Sequence, residues 1–407
     1  MKFITFVLTA AVLLRPLPVQ AEPQLLSYDE LVHEAFLVSP EAAKIDSGLA
    51  ERAADAFAFR TKENPVLEAG IDLPVNRPSG EESELSVKIS QVLRRSDFGE
   101  RAAVSHLINE SAGNERILAL NEFVLNLNVL YARAWQLQET EAILSEARVR
   151  AQQVLKKVSD GASRGLILEG DVELFKAELK SFEAEGIAAR SEFALAKAEL
   201  TRLSGVPLHN KKFLKPATGI SLQRDELIKL VHENKLPVQQ RYGLLRRLSE
   251  KQLEVARLDS LPAISPEIGY GRHDDGISQV MIGVSVSLPF FNRNEGEKIR
   301  SEAALTAAKK GEAYATSAAI DAEVLLLFDT VVTTGEQIAL FENGVLPARS
   351  RAVDAYTRQF NAGSGSTFQL WQAQRELNNS RLRALELQKS LSGVKAQLSA
   401  LIGQQQF

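Results

Sequence analysis

The chain of 407 residues contains no cysteine, two methionines, two tryptophans and only 14 prolines. Without cysteine there is no disulfide, no thiol nucleophile, no Cys-ligated metal and no site for N-terminal cysteine lipidation. Net charge is −4, so no broad basic surface marks the chain for nucleic acid. Long apolar runs are almost missing too. One lies at the start, Phe3 to Leu14, behind Lys2 and ahead of "RPLPVQA", with small residues at Val19 and Ala21. This pattern predicts a secretory signal over residues 1–21, cleaved after Ala21 to leave Glu22 first. No other stretch reads as the ~20 apolar residues a spanning helix needs, so a membrane would have to be met by strands. Catalytic and metal-binding patterns are absent as well. His33, His106, His209, His232 and His273 are scattered without metal-ligand spacing. His273-Asp274-Asp275 reads as a polar cluster in a loop, and "GSGS" lacks the lysine of a phosphate loop. No enzyme activity, cofactor or metal site is expected.

What the sequence does have is an internal echo. "YDELVHEA" at Tyr28 returns as "RDELIKLVHE" at Arg224, and "ENPVLEAGI" at Glu63 as "ISPEIGYG" at Ile264. "LSVKISQVLRRSDFGER" at Leu85 returns as "IGVSVSLPFFNRNEGEK" at Ile282, and "SDGASRGLILEGD" at Ser159 as "NAGSGSTFQLWQA" at Asn361. "LSG" at Leu203 matches "LIG" at Leu401. Kept in order, these pairs argue for a duplicated unit. The expected division is 22–204 for the first repeat, 205–223 for a connector and 224–407 for the second repeat. Each unit reads helix, strand, strand, very long helix, helix. The fold class is therefore mainly α with a small β part.

In the first unit a helix is expected from Tyr28 to about Lys62, ended by Pro65. Strands follow within about 65–93, then coiled-coil helices over 98–204. The second unit should carry strands within about 264–289 and coiled-coil helices over 294–402. The strands alternate. Leu67, Ala69 and Ile71 oppose Glu68, Gly70 and Asp72; Leu85, Val87 and Ile89 oppose Ser86, Lys88 and Ser90. Ile264, Ile268 and Tyr270 oppose Ser265, Glu267 and Gly269, and Val280 to Leu288 alternates likewise. Lengths of ~9–11 residues fit tilted membrane strands, and also an ordinary half-buried sheet. On the membrane reading, Glu68, Asp72, Lys88 and Glu267 line a barrel lumen. Pro289 then ends the last strand, with Phe290 and Phe291 at the interface. Four strands do not close a barrel, and an open edge is untenable in lipid, so the membrane reading requires several copies.

Leu120, Phe123, Leu127, Leu130, Ala134 and Leu137 step by threes and fours. Val324, Leu327, Val331, Thr334, Ile338, Phe341 and Val345 do the same, as in a coiled-coil seam. A helix of ~60 residues is about 90 Å long and must pack along its length on neighbours. Asp97 with Glu100, and Asn294 with Glu297, have capping-box spacing at the strand-to-helix switches. Pro347 should kink the second long helix.

Together these residues resemble the TolC-like family of outer-membrane efflux channels, and within it the CzcC-type branch of cobalt–zinc–cadmium resistance systems. The most specific matches are "VSVSLPFFNRNEGE" and "NGVLPARSRAVDAYTRQFNAGSGSTFQLWQAQREL". The resemblance implies a homotrimer whose α-helical tunnel crosses the periplasm below a shared 12-stranded transmembrane β-barrel (about twelve strands, four from each chain). It implies a location in the Gram-negative outer membrane, in contact with its lipid, and a passive duct serving a periplasmic membrane-fusion adaptor and an inner-membrane pump of the RND type. Heavy-metal cations would be the candidate substrate. The two Gly-rich turns, with Gly161, Ser163 and Gly165 in one and Gly363, Gly365 and Ser366 in the other, would be the adaptor-contacting tips. The family's gate carboxylates fall here on Gln369 and Gln372. Its gate arginine falls on Gly365, while Arg164 stands in the other tip. A ring of Gln constricts without strong charge selectivity. A soluble periplasmic coiled-coil adaptor or scaffold is the alternative reading.

Overall fold

A computed structural model describes residues 24–72, 84–216, 223–233, 235–273, 276–288 and 294–403. The expected signal segment, Pro289, Phe290, Phe291, Asp274 and Asp275 lie outside the described residues. The chain begins with a short strand, β1 (Gln24–Leu26), and helix α1 (Tyr28–Val38). Ser27 caps α1: its hydroxyl accepts the Glu30 amide at 3.2 Å, and Glu30 accepts the Ser27 amide at 2.9 Å.

The single helix expected up to Lys62 is two. Pro40 forces Ser39 into an extended conformation, which ends α1 and opens α2 (Pro40–Arg60). The Ser39 hydroxyl accepts the Glu41 amide at 3.1 Å and donates to the Leu203 carbonyl at 2.7 Å. The second half repeats the break, with α5 (Arg224–His232) and α6 (Pro237–Leu258).

Strands β2 (Val66–Asp72) and β3 (Glu84–Ser90) follow α2. Strands β5 (Ala263–His273) and β6 (Ser278–Ser287) follow α6. The four form one antiparallel sheet in the order β2-β3-β5-β6, so the two halves of the chain meet at the β3–β5 pairing. β3 is continuous to Ser90, and its pairing with β5 resumes at Leu93, which exchanges two backbone hydrogen bonds with Ile264 at 2.8 and 3.1 Å. Pro266 stands between; its carbonyl accepts the Gln91 amide at 3.3 Å, but it has no N–H to return. The sheet is open, with β2 and β6 as its edges.

Helix α3 (Glu100–Ser163) is 64 residues long, about 96 Å at ~1.5 Å per residue. It begins at Glu100 rather than Phe98, after Gly99 at φ +137°. It packs along α4 (Glu169–Ser204), α2, α6 and α10 (Thr367–Ile402). Its partner in the second half is not continuous. α7 (Glu295–Ala315) stops at Thr316, and the Ser317 hydroxyl starts α8 (Ala318–Leu340) by accepting the Ala319 amide at 3.3 Å. A π-helical turn, Phe341–Val345, then leads into α9 (Leu346–Asn361), with Pro347 in its first turn. A wide turn makes room for a proline ring and for the carbonyl that loses its N–H partner.

Neither expected capping box forms on a long helix. Asp97 instead accepts the Arg94 amide at 2.8 Å and closes a 3₁₀ turn, Arg95–Phe98. Asn294 adopts φ +55°, outside the extended backbone usual for a capping residue, and its side chain makes no cap bond. Glu297 pairs with Arg300 at 2.8 Å.

The main core lies midway along α3. Phe123, Leu127, Tyr131 and Trp135 pack against Leu31, Leu200, Leu208 and Phe213. Here β1 pairs in parallel with β4 (Lys211–Phe213), a ribbon that ties the start of the first repeat to the connector and that the sequence did not suggest. The Tyr131 hydroxyl reaches the carbonyls of Leu26 and Leu214, each at 2.8 Å, and burial pushes its ionisation above the ordinary phenol range. A second core gathers Leu227, Val231, Leu236, Val324 and Leu398. Of the second heptad seam, Val324, Thr334 and Ile338 are buried, while neighbouring Leu326 and Leu340 are 67% and 69% exposed. The span Ala318–Asn361 is long and apolar enough by composition to cross a bilayer, contrary to the sequence reading, which looked for uninterrupted apolar residues.

Candidate channel path

The sheet is inside out by the standard of soluble proteins. Its apolar face is the exposed one. Leu67, Ile71, Leu85, Ile264, Ile268, Val280, Ile282, Val284 and Leu288 are all more than half exposed, and Ile282 reaches 83%. The alternate residues of β3 and β5, including Ser86, Lys88, Ser265, Glu267, Gly269 and Gly271, are the more covered set. A half-buried soluble sheet would have the reverse. An apolar face of this extent calls for a nonaqueous neighbour.

On the other face, Lys88 stands between two carboxylates. Its Nζ is 3.5 Å from Glu68 and 3.1 Å from Glu267. The register explains this: Glu68 is directly opposite Lys88, and Glu267 is opposite Ser90, one step diagonally from Lys88. Ser285 hydrogen-bonds Glu267 from β6, so the four residues cross the whole sheet. Asp72 is the partner of Glu84 at the other end of β2. Three of the four expected lumen residues are thus in mutual contact. Glu84 was missed, because the strand was expected to start at Leu85. Its carboxylate accepts the Gln279 amide at 2.9 Å and lies 4.0 Å from His273. His273 is the last residue of β5 rather than part of a loop.

Where sheet becomes helix, a charged knot ties the two halves. Arg101 donates to Asp259 at 2.7 Å and to the Ser96 hydroxyl at 3.0 Å, and lies 3.3 Å from Asp97. Ser96 also hydrogen-bonds Asp259, and the Arg101 guanidinium covers the Phe59 ring at 5.6 Å. Sequence distance hid this knot, since Asp259 comes from the far half of the chain.

At the opposite end of the long helices the two turns are built alike. α3 runs through Ser163, so Gly161 and Ser163 belong to its last turn and not to the loop. Leu166 N–H donates to Gly161 O at 3.0 Å and Gly165 N–H to Ala162 O at 2.9 Å, with Gly165 at φ +72°. Ser364 N–H donates to Gln359 O and Gly363 N–H to Phe360 O, each at 3.1 Å, with Gly363 at φ +75°. Both are Schellman closures that need a left-handed residue, hence the glycines. At Gly365 a Cβ would lie 2.6 Å from the Phe360 amide nitrogen. The turns are neighbours: Val158, Val172 and Phe175 pack with Phe360 and Trp371, and Lys157 donates to Asn361 at 2.8 Å. Ser366 caps α10, accepting the Gln369 amide at 3.5 Å. Gln369, Gln372 and Arg164 are all exposed, and the first turn of α10 holds no acidic residue.

Residues 243–404 match the sequence model of the outer membrane efflux protein family. No curated protein matches the chain. Solved structures share its fold. The outer membrane protein VceC of Vibrio cholerae superposes with a TM-score of 0.73 at 18% identity, over 92% of this chain and 96% of that one. The CmeC outer membrane channel of Campylobacter jejuni gives 0.73 at 15%, over 92% of this chain and 85% of that one. CusC, whose structures concern folding and transmembrane channel formation, gives 0.70 at 15%, over 92% of each. The chain shares the fold of these structures, and β5 through α10 lie inside the segment that matches the family model.

Proposed function

We propose that the chain is the outer-membrane component of a tripartite efflux system and a passive conduit from an inner-membrane pump and periplasmic adaptor to the exterior. Three copies would each give β2, β3, β5 and β6 to one barrel, with the helices forming the periplasmic tunnel. The observation that carries this reading is the exposed apolar face of the sheet, with Glu68, Lys88 and Glu267 in contact on the other side and Arg272, near the end of β5, the charged residue on the apolar face among those described. An adaptor or scaffold bathed in the periplasm would expose that face to water. On this reading residues 1–21 are the export signal. The tips carrying Gly161, Ser163, Gly165, Gly363, Gly365 and Ser366 meet the adaptor. Gln369, Gln372 and Arg164 surround the periplasmic entrance, and Pro347 with its π turn bends the tunnel wall. The CzcC-type likeness of the sequence supports an RND-type pump and heavy-metal cations as cargo.

The test is fractionation of cells producing the full chain, followed by electrophoresis of heated and unheated detergent extracts. The protein is expected in the outer membrane as a heat-modifiable trimer. Recovery as a soluble periplasmic monomer would sink the channel reading. Cobalt, zinc and cadmium tolerance of a deletion strain tests the cargo separately.

A further inference from the structure

The two halves of the chain differ in what covers them. α4 and α10 are equivalent: each is 36 residues long, and each ends at a left-handed glycine, Gly205 or Gly403. α3 and α8 are equivalent as well. Leu127 packs with Leu200 in the first half as Val324 packs with Leu398 in the second. α10 packs on α8 and α9 of its own half and also on α3 of the other half. Its line of contact on α3 steps by about seven residues. Asn121 donates to Ala400 O at 3.2 Å, Ser392 donates to Asn128 at 2.9 Å, and Leu385 packs on the cluster that contains Trp135. α4 packs on α3, but no comparable packing joins it to α8 among the described residues.

Equivalent residues are covered where the second neighbour is present and bare where it is not. Trp135 is 4% exposed, and its counterpart Val332 is 43% exposed. Ser392 is 2% exposed, while its counterpart Ala194 is exposed. Leu385 is partly buried, and its counterpart Ile187 is 68% exposed. Lipid is a poor cover for α8 despite the apolar composition of that span. Glu323, Asp329 and Glu336 are exposed along it.

Resting on the channel reading above, we infer that a second copy of the chain covers this face, laying its α4 along α8 in the register that α10 holds on α3. Leu325 takes the place of Asn128 and meets Ala194 of the next copy. Val332 takes the place of Trp135 and faces Ile187 of the next copy. Leu325 and Val332 rise by seven while Ala194 and Ile187 fall by seven, as an antiparallel heptad seam requires. The seam within the chain holds a buried polar bond, Ser392 with Asn128, and the seam between copies is apolar at the same level. Each copy gives its α4 to one neighbour and its α8 to the other.

The chain has no cysteine, so an introduced pair is the sole source of a disulfide. The double variant Ala194→Cys with Leu325→Cys, made in the full chain, is oxidised in isolated outer membranes and run on denaturing gels without reductant. Bands of two and three chains are expected, and reduction should remove them. The displaced pair Thr201→Cys with Leu325→Cys is offset by seven residues, about 10 Å at ~1.5 Å each, and should link severalfold less. Ile187→Cys with Val332→Cys asks the same question one heptad on, and decides if the first pair does not reach the membrane. A displaced pair that links as well as the matched ones overturns the contact. So do matched pairs that stay single-chain in membranes whose unheated extracts hold the trimer; the channel reading then stands. Unheated wild-type extracts without a trimer overturn the channel reading, and the contact with it.

Discussion

At the scale of single residues, Ser27 and Glu30 show how two side chains fix where a helix starts. The Ser27 amide and hydroxyl both donate to the Glu30 carboxylate, and this holds its ionisation below the usual range, with help from Lys211. A carboxyl whose folded pKa is depressed adds stability above its unfolded pKa, ordinarily near 4.3, and loses it as pH falls through the lower folded value. Glu30→Gln should therefore unfold at lower temperature than the wild type at pH 7. The gap should close as both are titrated into acid below the folded pKa, as read by circular dichroism melts. A gap independent of pH would mean that Glu30 contributes by packing alone. Residues of this kind were partly legible. The polar strand set was visible as a period of two, and three of its members do touch. Tip glycines were visible as turn formers, but not which of them would be left-handed: that depends on where the helix stops, and α3 continues through "DGAS" because Gly165, not Gly161, supplies the closing conformation.

At the scale of elements, the 3₁₀ turn Arg95–Phe98 joins sheet to helix through Arg101. Its side chain is 17% exposed, and those of Asp97 and Asp259 are 6% and 14% exposed. Arg101→Ala would leave two little-exposed carboxylates without their cation, a loss of about 3 kcal/mol. Hydrogen exchange should then rise at the start of α3 and the end of α6 together, whereas a rise on one side alone would mean that the knot is not shared. The helices themselves were readable from heptad spacing and the scarcity of proline. Their interruptions were less so. Pro40 and Pro237 are each preceded by a residue pushed out of helical geometry, a signal present in the sequence but overlooked. The break at Thr316–Ser317 has no proline. It rests on Ser317, which accepts one backbone bond and donates another at 2.6 Å to Tyr314 O, a local competition that composition does not announce. The β1–β4 ribbon was not legible, since three-residue strands far apart in sequence carry no periodicity.

At the scale of the whole molecule, the sidedness of the sheet sets what a substitution does. Ile282 lies mid-way along β6 on the exposed apolar face, and Ser285 on the face that bears Lys88 and Glu267. A lysine facing lipid near the bilayer midplane costs about 2–4 kcal/mol, and one facing a wet lumen costs little. Ile282→Lys is expected to reduce the heat-modifiable trimer in outer-membrane extracts, while Ser285→Lys leaves its yield near that of the wild type. The opposite ranking would place lipid on the other side of the sheet.

One consequence of the strand order concerns parity. The described sheet has four strands, alternating in direction from β2 to β6, so its two free edges run opposite ways. Copies arranged by rotation about an axis along the strands therefore bring the β6 edge of one against the β2 edge of the next in antiparallel sense. An odd number of strands would force a parallel joint at every boundary. The two edges are also different surfaces, so their pairing is head to tail, and such pairing ends only when a ring closes. A pair of chains joined edge to like edge would still leave free edges, which lipid does not tolerate. On the proposed channel reading, four strands give each chain an even share of the wall, and an even count is what an all-antiparallel ring of copies requires.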